Sequence, residues 1–228
     1  MSNVHYFFTI FVKIDGMKKL IFVIIFVTIS FFLFPQTQNN WKTVSIPNIC
    51  TFTIPPKMEL RDKNSFDEKL FNNLMEPYYN IKPNINRVVI QPRGFKSNDY
   101  LATELYSRII VEFEEGDFSD FNISEFTKSD LAEITLFYKE VIQTEADEFN
   151  ISIKKISNTI LKKIGNNQAL YYSYTRGAAI ADKSDVFVAV YNLFLGNKTV
   201  KVTVSFRESE AGIWRNDFEK SIQSFSFN

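Results

Sequence analysis

From Thr159 to Phe206 the chain reads as four β-rich segments: Thr159 to Ile164, Ala169 to Thr175, Val186 to Leu195 and Val200 to Phe206. Gly165-Asn166-Asn167 separates the first two and Gly196-Asn197 the last two, and these are residue types that tight hairpin turns require. Hairpins pair neighbouring strands antiparallel, so this stretch commits the fold to an antiparallel sheet.

The remaining periodic segments supply its edges and covers. Trp41 to Ile46 alternates briefly, and Cys50 to Ile54 places Cys50, Phe52 and Ile54 on one strand face before Pro55-Pro56 stops the ladder. The alternation predicts a buried thiol, as is usual for free cysteine. Lys57 to Arg61 and Arg87 to Gln91 read as strands. Between Ser65 and Tyr79, Phe66, Leu70, Leu74 and Tyr78 recur every four residues, the mark of a helix face. Leu105 to Glu115 sets Leu105, Ser107, Ile109, Val111 and Phe113 against Tyr106, Arg108, Ile110, Glu112 and Glu114, a strand with one wet side. Asp130 to Phe149 is the strongest helix, with Leu131, Ile134, Tyr138, Val141, Ile142, Glu145 and Phe149 at spacings of three and four after a cap at Ser129 or Thr127. Glu208 to Ile222 puts Ala211, Trp214, Phe218 and Ile222 on a second helix face, and Phe225 with Phe227 forms a terminal strand or packed tail. Together these predict an α+β fold, an antiparallel sheet covered by helices, in one domain over 41–228.

Residues 1–38 read as a leader. Lys18 and Lys19 precede the apolar run Leu20 to Phe34, too short for a spanning helix and suited to a secretory signal, with Met17 as an alternative start. Export to the periplasm or the medium is the expectation. Phe31-Phe32-Leu33-Phe34-Pro35-Gln36-Thr37-Gln38 offers no small-x-small cleavage triplet, so a membrane anchor through residues 20–34 is the alternative.

The run Cys50-Thr51-Phe52-Thr53-Ile54-Pro55-Pro56, the hairpins from Tyr171 to Phe206, and Phe218 ahead of Ser221-Ile222 and Ser224-Phe225-Ser226-Phe227 resemble the PsbP-like superfamily. That group includes extrinsic photosystem proteins, a Ran-binding branch and many bacterial exported proteins, and the resemblance is to the exported branch. It implies a sandwich fold and a binding or assembly role without enzymatic activity, and it assigns no site residues.

The residue types present narrow the chemistry. His5 is the only histidine and lies in or before the leader, which removes Ser-His-Asp and Cys-His catalysis and almost every zinc or copper site. Of 26 basic and 26 acidic residues, three and one fall in the leader, which leaves 23 against 25 and nothing that steers toward nucleic acid. No cofactor is implied. The acidic stretch Glu112, Glu114, Glu115, Asp117 and Asp120 reads as a solvated face or a hard-cation site, without EF-hand spacing. A carboxylate enzyme would need two acidic groups in one pocket, with Glu59, Glu112 and Glu114 the candidates. A protein partner is the favoured ligand. Its candidate surface is Tyr172, Tyr174, Arg176, Asp182 and Asp185, on the Tyr-rich strand and the loop that follows it, where the alternative is core packing and a plain connection. Tyr172 and Tyr174 share one strand face, and Tyr171 takes the other.

Overall fold

In the computed structural model, residues 40–61, 86–94, 105–177 and 184–228 are described. The leader 1–38, the helix expected between Ser65 and Tyr79, and Asp182 lie outside them. Among the described residues eight strands form one antiparallel sheet: β3 (Met58–Leu60), β4 (Arg87–Pro92), β5 (Ser107–Glu115), β10 (Lys198–Arg207), β9 (Val186–Phe194), β8 (Asn167–Arg176) and β6 (Ile153–Ile156) in that spatial order, with β7 (Ile160–Ile164) also pairing β8. A second sheet of three, in the order β1 (Lys42–Ile46), β2 (Cys50–Ile54) and β11 (Ser226–Phe227), is antiparallel as well. Two helices, α1 (Lys128–Glu148) and α2 (Ala211–Gln223), pack on these strands. The expected α+β architecture is therefore the one formed.

The strands follow their alternation. In β2 the inward residues Cys50, Phe52 and Ile54 are buried while Thr51 and Thr53 are not, and in β5 Ser107, Ile109 and Val111 are buried against a half-exposed opposite face. The hairpin turn between β1 and β2 holds Asn48 at φ 61, and that between β9 and β10 holds Gly196 at φ 74. β6 is absent from the expectations above. Its four residues, Ile-Lys-Lys-Ile, carry no alternation, and only pairing with Tyr174 to Arg176 of β8 makes them a strand.

The two faces of the large sheet are covered differently. On one, the small sheet and α2 enclose the main core, which includes Phe52, Ile90, Ile109, Leu193, Trp214, Phe218 and Phe225, and the Phe225 ring stacks on Phe52 at 4.2 Å. On the other, α1 lies over Tyr172, Val186, Val188 and Val190 through Ile142. Helix α1 starts on a capping box, with Thr127 Oγ1 accepting from the Asp130 amide and Asp130 accepting from the Thr127 amide. It stops where Asn150 turns left-handed (φ 52) and the Ile151 amide reaches back to the Ala146 carbonyl. Its inward line is Thr135, Ile142 and Ala146, so the stripe is rotated from that expected: Phe149 is exposed. Thr135 is drawn in because its hydroxyl donates to the Leu131 carbonyl and accepts from the Thr159 amide, which satisfies a buried donor. No helix among the described residues is long and apolar enough to cross a membrane.

Burial fixes the behaviour of the thiol and phenols. Cys50 is fully buried, and desolvation pushes its thiol up to about 12. Burial likewise raises Tyr138, Tyr172, Tyr174 and Tyr191. Unfolded thiols and phenols ionise near about 8.5 and 10. In that range the unfolded chain gives up protons that the native chain keeps, so stability present below about pH 8.5 is lost as pH rises. Urea midpoints should fall steadily from pH 8 to 10.5, and Cys50 should resist iodoacetamide until the chain unfolds. A flat midpoint across that range would show that these groups ionise in place.

Candidate functional site

Strand register decides which side chains share the α1 face of the sheet. Lys201 lies opposite Glu112 on β5 and opposite Asn192 on β9, and Thr199 lies opposite Glu114 and Phe194. Two rows therefore run side by side, Glu112–Lys201–Asn192 and Glu114–Thr199–Phe194, on the face that α1 only partly covers. Together with Tyr138 from α1 they line a half-open groove of about 320 Å³.

The first row is internally satisfied. Glu112 accepts from Lys201 at 2.7 Å and faces Arg87 Nε at 3.6 Å, so its charge is matched within the sheet. Asn192 Nδ2 donates to the Tyr138 hydroxyl at 3.0 Å, and Tyr138 stacks on Tyr172 with ring centroids 4.3 Å apart. This fixes the helix-side wall. The second row is open. Glu114 is exposed and makes no ion pair among the described residues. Thr199 is a small residue between a carboxylate and a ring. Phe194 is extended by Phe121, whose ring lies at 4.3 Å, and Phe118 meets Phe194 edge-on at 6.2 Å. Phe121 is 44% exposed within this aromatic cluster.

Of the residues expected to form a surface, Tyr172, Tyr174 and Arg176 lie along this same face of β8, opposite Val190, Val188 and Val186. Tyr172 is buried beneath α1 against Tyr138, where it supports the groove wall. Tyr174 and Arg176 continue along β8 and are half-buried. Arg176 donates to the hydroxyl of Tyr106, which also shares a hydrogen bond with Ser205. Burial acts to raise the Tyr106 phenol, but Arg108 and Arg176 together with those hydrogen bonds outweigh it and hold it below the usual tyrosine value. Asp185 is paired with Lys154 at 2.7 Å, and its carbonyl accepts from the Glu208 amide. Tyr171 takes the opposite face with Tyr191, their centroids 5.0 Å apart.

Of the carboxylates weighed for catalysis, Glu112 and Glu114 share the groove, whereas Glu59 accepts from the amide of Gly94, just past the end of β4. Among the described residues no three His, Cys, Asp or Glu side chains are placed to hold a metal ion. Lys201, Thr199, Asn192 and Phe194 were not among the sequence candidates. The Gly196-Asn197 turn would have aligned Lys201 with Asn192 and Thr199 with Phe194, but their alignment with Glu112 and Glu114 depends on β5 pairing with β10, far along the chain.

No protein-family model matches the chain, and no curated protein matches it. Among solved structures it is similar to cyanobacterial PsbP (CyanoP) from Synechocystis sp. (TM-score 0.48, 13% identity, covering 85% of this chain and 96% of that chain). It is also similar to the Ran-binding protein Mog1p of Saccharomyces cerevisiae (TM-score 0.41, 16% identity, 83% and 96% covered). A Bacteroides thetaiotaomicron protein gives a TM-score of 0.44 at 8% identity over 82% of this chain, which spans 48% of that protein. The similarity to all three is one of fold.

Proposed function

We propose that this chain is an exported, non-enzymatic binding module that holds a protein partner on the α1 face of its large sheet. The observation that carries this reading is the groove itself: an exposed carboxylate, a small residue and a partly exposed aromatic pair stand side by side, and the helix-side wall is rigidified by Tyr138, Tyr172 and Asn192. Partly exposed aromatics in a walled groove are what interface hot spots use. Tyr174 and Arg176, farther along the face, and Asp185, just ahead of β9, extend the proposed surface. Glu112 is held between two cations, an arrangement that suits structure better than nucleophilic or acid–base work.

A photo-cross-linking side chain placed at Thr199 in the source organism tests the reading, with Gly212 on α2 as the control position. An adduct of one defined mass at Thr199 and none at Gly212 is expected. No adduct, or the same adducts at both positions, overturns it. Export rests on the run from Leu20 to Phe34, and the intact mass of the native protein checks it: loss of the first 36 to 38 residues supports a secreted module, whereas full length in the membrane fraction makes that run an anchor.

A further inference from the structure

We infer that the Glu114–Thr199–Phe194 notch takes an arginine side chain of the protein partner; the inference rests on the binding-module reading. Adjacent strands lie about 4.8 Å apart, so Glu114 and Phe194, two strands apart, leave a gap of roughly 9.6 Å between their backbones with only Thr199 beneath it. A guanidinium fits that gap in chemistry as well as width. It is planar, pairs two-pronged with a carboxylate at one edge, and stacks its face on an aromatic ring. Glu114 supplies the carboxylate, and Phe194 with the half-exposed Phe121 supplies the ring face.

Charge around the notch favours the same occupant. The neighbouring lysines are already engaged: Lys201 with Glu112, and Lys198 with the carbonyls of Asn48 and Asn228. The segment that carries Phe118 and Phe121 adds Asp117, Asp120 and Glu125, none of which has an ion-pair partner among the described residues. Asp117 accepts from the Ser119 hydroxyl and amide, which lowers its pKa, so it stays ionised. A cation entering the notch meets an acidic rim, which speeds encounter. A lysine would satisfy the charge, but its ammonium neither pairs two-pronged nor stacks as a plane.

The test is fluorescence anisotropy of the full chain with labelled hexa-arginine, hexa-lysine and hexa-glutamate peptides. Hexa-arginine should bind several-fold tighter than hexa-lysine, and hexa-glutamate should not bind. Glu114→Gln should weaken hexa-arginine at least tenfold and Phe121→Ala several-fold, while Glu133→Gln, on the outer face of α1, should change nothing. Equal binding of the arginine and lysine peptides, an equal loss in Glu133→Gln, or no binding below about 1 mM overturns the inference. Failure here leaves the binding-module reading to the Thr199 cross-link: an adduct there whose contacting peptide contains no arginine would retain the module and reject the arginine.

Discussion

Glu210→Ala is expected to destabilise the protein by about 3–5 kcal/mol, among the largest effects of any single substitution in the described residues. Glu210 is buried at 6% exposure, and each of its oxygens is used. Oε2 accepts from the Tyr106 amide at 2.8 Å and from the Trp214 indole at 3.0 Å, and Oε1 accepts from Arg207 at 2.9 Å. One carboxylate thus joins the entry of β5, the end of β10 and the first turn of α2. Its removal takes an acceptor from a part-buried amide and from a fully buried indole N–H, each at about 1–3 kcal/mol, and withdraws a negative charge from beside a guanidinium whose side chain is 12% exposed. Glu210→Gln keeps one acceptor and should lose roughly half as much. Urea unfolding of the three proteins is the measurement. A loss under about 1 kcal/mol for the alanine variant would show that water replaces the carboxylate and that the joint is not closed.

Gly165→Ala should cost about 3 kcal/mol or more, by a different route. Gly165 sits at φ 54 in the β7–β8 turn, where its amide donates to the Ile222 carbonyl at 2.9 Å. A Cβ there would stand 1.8 Å from the Phe225 carbonyl oxygen, and a backbone atom cannot swing aside as a side chain does. Phe225 is itself pinned by its ring on Phe52. Gly196→Ala is the control: its φ is 74, but nothing lies within 4 Å of the added carbon, so only the left-handed backbone penalty of about 1 kcal/mol applies. Similar thermal midpoints for the two variants would mean that the β7–β8 turn can move away from the C-terminal tail.

Both joints show the division between local and long-range information. The Gly165 and Gly196 turns, the inward set Cys50, Phe52 and Ile54, and the Trp214–Phe218–Ile222 stripe could be read from the chain because each depends on spacing within a dozen residues. The stripe of α1 was read with its inner line displaced. Thr135 is inward only because the distant Thr159 amide needs an acceptor, and no apolar period reports that.

The candidate site was legible only in parts. Glu112 and Glu114 stood out as acidic residues on a wet strand face, and Tyr172 as one of a tyrosine cluster. Their roles changed once partners were fixed: Glu112 became the centre of an ion pair with Lys201, Tyr172 a support under Tyr138, and Glu114 the open carboxylate of the notch. The sequence by itself determined the antiparallel sheet, most of its strands and the two helices described, because those follow from side-chain period, turn residues and residue types. Tertiary structure decided that β5 lies beside β10. That pairing joins residues roughly ninety positions apart, and no period or turn rule within a single segment records which strand becomes its neighbour.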